Sequence, residues 1–302
     1  LTRVNYPDGT AKIYHYENAA YKNHLTGISY VDVAGTTTRF ATYTYDASGK
    51  AYITQHAAGQ EKFTLVYDSA TQTSVTDAAN TKEVLTFATN LGMKKLISRA
   101  NQGDLKSSAQ TYDTNNNLTC RKDSEDHVTL FTYNNTNQLT NKTDNITGSC
   151  PFTAALPATA RTKTYQYLSS TLDFPTVIDS PSVAGGGALK RTTVSYTDTR
   201  FPTAPTSITQ TGFTPTGVAV SRTISLGYST QGLVSSINGP RAPSDPGMNG
   251  LDDVTTLAYY ECTTGTACGQ LKTVTNALGQ TTTYGNYTAD GRVQSITDPN
   301  GL

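Results

Sequence analysis

Residues 276–301, NALGQTTTYGNYTADGRVQSITDPNG, contain the pattern that decides the fold. A turn-forming segment, Asn276–Gly279, opens this stretch, and a similar segment, Asp298–Gly301, closes it about 22 residues later. Between them lie two runs rich in Thr, Tyr and apolar residues, separated by a turn at Asp290–Gly291. Thr and Tyr suit a half-buried pleated surface, whereas Asp, Asn and Gly suit turns. Two strands of ~5–7 residues and two turns of ~4 fill such a repeat, so the stretch predicts one β-hairpin.

The same phrase recurs along the chain. Its copies share a tyrosine, an Asp or Asn that opens a turn, or the glycine that closes it. These repeat-defining residues are Tyr45, Asp46, Gly49, Tyr67, Asp68, Tyr112, Asp113, Tyr133, Tyr228, Gly279, Tyr284, Tyr287, Gly291 and Gly301. One hairpin of this length is too small to be stable alone, so neighbouring copies must pair side by side. The sequence therefore predicts an all-β fold, an array of antiparallel hairpins forming a long curved or spiralling sheet.

The recurring phrases resemble the YD repeat of bacterial Rhs proteins, with its Tyr-Asp-x-x-Gly-x-Leu core and its Asp-x-x-Gly-x-x-Thr-x-x-x-Tyr return. The match is best at Tyr45–Gly49, Tyr112–Leu118 and Gln270–Gly301, and with insertions it covers nearly the whole chain. In that family, and in the related Tc toxins and teneurins, such repeats form a shell strip; in Rhs proteins it surrounds a C-terminal toxin. The resemblance implies a structural, non-enzymatic scaffold segment that encloses or shields a toxin or other cargo. It also implies a secreted or cell-surface bacterial protein, whose partner is the remainder of its own polypeptide.

The array is expected to be a single continuous unit spanning residues 1–302, cut from a longer protein. Three segments rich in Pro, Gly or Ala depart from the repeat and predict loop insertions near 145–163, 179–189 and 239–253. The apolar stretch Lys82–Ile97 is broken by Thr, Asn and Gly, so we expect strands there rather than a helix.

Composition and charge exclude several classes of function. Lys plus Arg and Asp plus Glu both total 23, so the chain lacks the excess of basic residues that a nucleic-acid-binding protein needs. Hydrophobic residues make up 36% of the chain, below the ~45–50% usual for globular domains, which favours a thin sheet over a thick core. The sequence has no apolar run of the ~18 residues that a membrane span needs.

Motifs for catalysis or cofactor binding are absent from the sequence, and we expect neither a cofactor nor a metal ion. The four histidines, His15, His24, His56 and His127, are far apart and lack the spacing of metal ligands. Asp113–Asn117 looks like the start of a calcium loop, but the required Gly and Glu are missing, so an Asn-rich turn is the simpler interpretation.

The four cysteines predict two disulfides. Cys262 and Cys268 flank a short loop between two strand-like runs, and Cys120 and Cys150 form the other pair in an even count without metal spacing. Oxidised pairs suit a secreted protein. Reduced, half-buried thiols are the alternative, expected if the shell assembles in the cytosol.

The repeated tyrosines allow two interpretations. Stacked across strands, they stabilise neighbouring hairpins by ~0.2–1 kcal/mol per pair. Exposed in a row, they would instead bind sugars or another protein surface. The second interpretation supports an alternative function, an extracellular adhesin or filament module that binds carbohydrate or sister subunits. Open sheet edges would then pair with a second chain, so self-association through these edges is a further expectation.

Overall fold

The computed structural model describes residues 1–102, 106–182, 184, 186–241, 252–262 and 267–302. It confirms the all-β, antiparallel fold. The described residues form 23 strands, and their single helical element is the 3-10 turn Ala57–Gly59. No helix in this part of the chain is long and apolar enough to cross a membrane.

Two compact units make up the chain. The first comprises Leu1–Phe131 with Asp144–Ala160, and the second comprises Thr132–Thr143 with Arg161–Leu302. Strands β1 to β11 lie within the first unit: β1 (Arg3–Asn5), β2 (Ala11–His15), β3 (Gly27–Val31), β4 (Thr37–Tyr45), β5 (Ala51–His56), β6 (Phe63–Val66), β7 (Gln72–Thr76), β8 (Lys82–Asn90), β9 (Met93–Asn101), β10 (Ser107–Tyr112) and β11 (Leu118–Lys122).

The remaining strands complete the array. Strands β12 (His127–Tyr133) and β13 (Leu139–Thr147) contribute residues to both units. The second unit contains β14 (Arg161–Ser169), β15 (Leu172–Pro181), β16 (Leu189–Ser195), β17 (Ser207–Phe213), β18 (Ala219–Tyr228), β19 (Val234–Asn238), β20 (Val254–Tyr259), β21 (Leu271–Thr275), β22 (Thr281–Gly285) and β23 (Ser295–Thr297).

Within each unit, strands pair antiparallel with their neighbours in sequence, as in β2–β3, β8–β9 and β17–β18. Such local pairing is what short hairpin repeats favour, because each turn brings the next strand directly alongside. The stretch Lys82–Ile97 lies in β8 and β9, which confirms strands rather than a helix.

The hydrophobic core is thin, as the low apolar content predicts. In the first unit, Cys120, Val128 and Ile146 are at most 2% exposed and pack with Phe152. Elsewhere in that unit the buried apolar residues are small, such as Ala11 and Ala41. Among the described residues of the second unit, the buried side chains are polar. Stability must therefore come largely from the hydrogen-bonded ladder and its turns.

Loop insertions occupy shorter spans than the sequence suggests. Residues 145–147 still belong to β13 and 161–163 to β14, which leaves an irregular segment between them. Residues 179–181 belong to β15, and Leu189 begins β16. Most of the third insertion, residues 242–251, lies outside the described residues.

Candidate functional site: the repeated turn and its tyrosine clasp

One turn geometry repeats twelve times in the described chain. The first residue donates its N–H to the carbonyl of the fifth and accepts the N–H of the fourth on its own carbonyl. The twelve turns are Tyr6–Thr10, Asp32–Thr36, Asp46–Lys50, Asp77–Thr81, Asp113–Asn117, Asp123–His127, Asn134–Gln138, Thr214–Val218, Ser229–Leu233, Asn276–Gln280, Thr288–Arg292 and Asp298–Leu302. All four turns expected near Asp46, Asp113, Asn276 and Asp290 are thereby confirmed.

The side chain that opens the turn explains the preference for Asp and Asn. In seven of these turns one side-chain oxygen accepts the N–H groups two and four residues later, at 2.8–3.0 Å. Asp46 shows the consequence, because bonding to Ser48 lowers the pKa of its carboxyl. The backbone N–H of Leu302 likewise lowers the pKa of Asp298.

The fourth residue of each turn adopts left-handed backbone geometry, with φ between 62° and 85°. Gly occupies eight of these positions, including Gly49, Gly279, Gly291 and Gly301, and Asn or Asp occupies the others. Only these residue types adopt such φ values readily. The turn is thus a type I turn closed by a left-handed residue, a common three-residue hairpin connection.

A tyrosine clasp, which directly precedes the repeated turn at Tyr45, Tyr228 and Tyr287, was not foreseen from the sequence. Near the end of a strand or one to two residues after it, a tyrosine hydroxyl donates to a main-chain carbonyl at or near the start of the preceding strand, at 2.7–3.2 Å. The seven clasps are Tyr45 to Leu25, Tyr67 to Ala51, Tyr167 to Leu139, Tyr196 to Pro175, Tyr228 to Pro205, Tyr259 to Val234 and Tyr287 to Leu271.

Three of the clasps link one repeat to the next at a constant spacing. The carbonyls that Tyr67, Tyr167 and Tyr259 reach lie six residues after Tyr45, Tyr133 and Tyr228. In these three clasps the acceptor is the first residue of the strand that follows the repeated turn. Each hairpin fastens its neighbour, which explains why Tyr recurs at this place.

A β-bulge accompanies the clasp. In five hairpins the pairing register shifts by one residue at the tyrosine, for example where Tyr45 pairs with Ala51 while Thr44 pairs with Ile53. Equivalent shifts occur at Tyr112, Tyr167, Tyr228 and Tyr259. Because a bulge increases local twist and changes the direction of side chains, it helps to direct the ring toward the preceding strand.

Three repeat-defining residues differ from the expected roles. Asp68 does not open a turn of this type; its carboxylate accepts the hydroxyl of the buried Ser74 at 2.6 Å. Tyr284 is not the clasp of its hairpin, which is Tyr287, and its carbonyl instead accepts the hydroxyl of Tyr260. Tyr112 lies in the clasp position, but its hydroxyl donates to Gln110 at 2.6 Å and lies 3.5 Å from the Leu96 carbonyl.

Loops that precede some hairpins cover the next turn, a feature that sequence reasoning missed. The hydroxyl of Tyr21 donates to the Ala47 carbonyl, and His24 Nε2 lies 3.2 Å from the Gly49 carbonyl. A side chain at Gly49 would meet the Tyr21 ring at 3.0 Å. Phe201 covers Gly232 in the same way, at 3.0 Å. A glycine in these two turns is therefore required by both backbone geometry and close packing.

The histidines make local contacts. His56 pairs with Glu61 at 2.8 Å, and His127 pairs with Asp123 at 3.1 Å. Among the described residues, no three His, Cys, Asp or Glu side chains lie close enough together to hold a metal ion.

One contact has the atom order of a Ser–His–carboxylate hydrolase. Ser29 Oγ lies 2.8 Å from His15 Nε2, and His15 Nδ1 lies 3.4 Å from Glu17 Oε1. However, Ser29 is only 2% exposed, and its strand pairs on both sides, opposite Ile13 and Arg39. The strand that contains Ser29 therefore has a paired strand on each side, and the buried Ser29 hydroxyl is not accessible to a substrate. The contact acts as a buried cross-strand hydrogen bond.

The structure contains both cysteine pairs as disulfides. Cys120 and Cys150, 30 residues apart, lie with their Cα atoms 5.8 Å apart beside Val128 and Ile146. Cys262 and Cys268 have Cα atoms 4.4 Å apart. Residues 263–266 of the loop they close lie outside the described residues.

Comparison with known proteins matches residues 269–302 to the RHS Repeat family. This segment contains Tyr284, Tyr287 and the last three of the twelve repeated turns. No curated protein shows significant similarity to the chain.

Solved structures with a similar arrangement include two toxin assemblies. The Tc holotoxin pore of Photorhabdus luminescens with the TccC3-D651A mutation is 12% identical over 98% of this chain, with a TM-score of 0.42. The crystal structure of TcdB2-TccC3 is 11% identical over 96% of the chain, also with a TM-score of 0.42. This chain spans 18% and 19% of those two proteins, about a fifth of their length.

Proposed function

We propose that the chain is a structural, non-enzymatic scaffold segment of a bacterial Rhs-type protein. The observation that carries the proposal is the combination of an Rhs repeat at residues 269–302 with the same clasped hairpin turn elsewhere in the chain. A repeat that fastens each hairpin to its neighbour makes a continuous hydrogen-bonded surface rather than a catalytic cleft. Such a surface resists local opening, because each hairpin is held on both sides.

The cargo of this scaffold is the remainder of its own polypeptide, including any C-terminal toxin. The sheet encloses or shields that cargo, as the Rhs resemblance implies. The scaffold is secreted or displayed at the cell surface, and its two disulfides support an oxidising compartment. The repeats form a single continuous strip from residue 1 to residue 302.

Cross-linking of the natural polypeptide that contains residues 1–302 tests this function. If the strip encloses cargo, lysines of the array such as Lys94 and Lys272 should cross-link repeatedly to the segment outside residues 1–302. Mass spectrometry of the digested product identifies the linked peptides. Cross-links confined to neighbouring hairpins, with none to the rest of the polypeptide, would contradict the shielding role.

An adhesin or filament module is the second candidate, and exposed aromatic rings favour it. Tyr30 and Phe40 are 41% and 38% exposed, and their ring centroids lie 5.0 Å apart. The rings meet edge to face at 65°, so they present a smaller flat surface than coplanar rings for stacking on a sugar. A glycan array distinguishes the two: binding lost in Tyr30→Ala would favour the adhesin.

A further inference from the structure

An open cavity in the second unit has features of a ligand site. It has a volume of about 280 Å³ and lies across β16, β17 and β18. The stem of Lys190, the side chains of Phe213 and Val220, and Gly212 form its apolar part. Arg222 also lines the cavity. The cavity is about as large as the smallest ligand pockets of proteins, ~300 Å³.

Gly212 lines this cavity, and the needs of the backbone do not explain a glycine there. It lies inside a paired strand, opposite Val220, and its φ is not in the left-handed region. An added Cβ would meet its nearest neighbour, Lys190, at an ordinary 3.8 Å. Glycine weakens a strand interior and often marks a bulge, a tight bend or the close approach of a ligand or another backbone. The pairing of β17 with β18 is regular at Gly212, without a bulge, which leaves a ligand as one explanation.

Lys190 and Arg222 give the cavity its charge. Within the described part of the chain, neither side chain forms an ion pair or a side-chain hydrogen bond, whereas nearby Arg191 is paired with Asp179 at 2.7 Å. Pairing in the sheet places Gln210 opposite Arg222, and Gly212 lies against Lys190. The two cations therefore face the same cavity from the strands on either side of β17.

We propose that this cavity binds a compact apolar carboxylate, with its apolar body above Gly212 and its carboxylate between Lys190 and Arg222. The apolar wall contributes through burial, and the two cations supply charge-assisted hydrogen bonds. Arg222 is suited to hold a carboxylate through two parallel hydrogen bonds. Neutral apolar compounds of the same size bind less well, because they leave both cations without a partner.

The probe for this site is 1-naphthylacetate. Its binding to the intact chain is measured by isothermal titration calorimetry and by ligand-observed NMR. A ligand of this size with ordinary efficiency per atom has a Kd of about 1 mM. Its uncharged analogue, 1-naphthylacetamide, should bind at least tenfold more weakly. Arg222→Gln and Lys190→Gln should each weaken binding about three- to tenfold.

Filling the cavity provides the second test. Gly212→Val places a β-branched side chain in the strand, which suits the fold but occupies the apolar space, so binding should be lost. Gly212→Ala is the milder variant should the larger one fail to fold. Arg121→Gln, an exposed arginine in the first unit, is the control and should leave binding unchanged. Equal binding of acid and amide, or wild-type binding by a folded Gly212→Val variant, would overturn the proposal.

Discussion

Removing one clasp hydroxyl should measurably loosen its hairpin. Tyr228→Phe removes only the hydroxyl. The ring keeps its contact with Phe201, at 6.1 Å between centroids, and the main-chain carbonyl of residue 228 still accepts a hydrogen bond from the Arg200 side chain. That hydroxyl donates to the Pro205 carbonyl at 2.7 Å in a half-buried setting. A well-formed bond of this kind contributes ~1 kcal/mol, and leaving the carbonyl without its donor raises the cost toward ~2 kcal/mol.

Urea unfolding and hydrogen exchange measure this effect. The free energy of unfolding should fall by ~1–2 kcal/mol, and exchange should quicken most in the amides of β17 and β18, because repeat arrays open locally. Tyr165→Phe is the matched control, since the hydroxyl of this half-buried tyrosine has no hydrogen-bond partner among the described residues. Equal destabilisation by both variants would refute the clasp as a source of stability.

Alkaline pH gives an independent view of the same bond. Burial, with a smaller contribution from the charge of Asp198, raises the pKa of Tyr228 above its usual 10.0. A raised pKa means that the folded state favours the protonated hydroxyl. Its stabilisation is fully present below about pH 10 and is lost as the pH rises through the folded-state pKa. The difference between wild type and Tyr228→Phe should therefore shrink above pH 10.

Three further groups of variants test the turn glycines, the turn carboxylate and the disulfides by urea unfolding. Gly279→Ala should cost ~1–2 kcal/mol because its φ is 77°, and Gly49→Ala should cost more because its Cβ would also meet an aromatic ring at 3.0 Å. Hydrogen bonding lowers the pKa of Asp46 in the folded state. The carboxylate of Asp46 therefore stabilises the fold above its ordinary pKa of 3.8, and this stabilisation is lost as the pH falls. Asp46→Asn should make the free energy of unfolding less dependent on acid pH. Cys120→Ser should cost ~3–4 kcal/mol and Cys262→Ser ~2, because the closed loops span 30 and 6 residues.

Matched variants sharpen these three predictions. Gly279→Asn should cost less than Gly279→Ala, since Asn occupies the same turn position at Asn116 and Asn137. A cost equal to that of alanine would contradict the role of left-handed geometry. Mass spectrometry of an unreduced digest should show Cys262 linked to Cys268, and free thiols there would favour assembly in the cytosol. An unchanged acid profile for Asp46→Asn would show that the turn carboxylate does not govern acid stability.

Turns and strands could be predicted from the sequence because their signals are local. Asp46 and Gly49 each perform their role within five residues, through a side-chain oxygen and a permitted φ. Strands β8 and β9 were predicted because Thr, Asn and Gly interrupt the apolar stretch Lys82–Ile97, and this signal is equally local.

Contacts that depend on register could not be predicted. The carbonyl that Tyr228 reaches has no sequence signature, since any residue offers one. A usable signal existed only for Tyr67, Tyr167 and Tyr259, whose acceptors lie six residues after the tyrosine of an earlier repeat. The hydrogen bond between Ser29 and His15 depends on the register of β2 against β3. Phe201 over Gly232 depends on how a loop folds back, which composition does not reveal.

Protease protection of the natural polypeptide tests the scaffold role most directly. The polypeptide that contains residues 1–302 is treated with a nonspecific protease at increasing urea, and the fragments are identified by mass spectrometry. Shielding predicts that the cargo segment stays intact until the urea concentration at which the hairpin array unfolds, and that both then degrade together. Digestion of that segment in the absence of urea, as fast as when it is expressed without residues 1–302, would contradict the scaffold role.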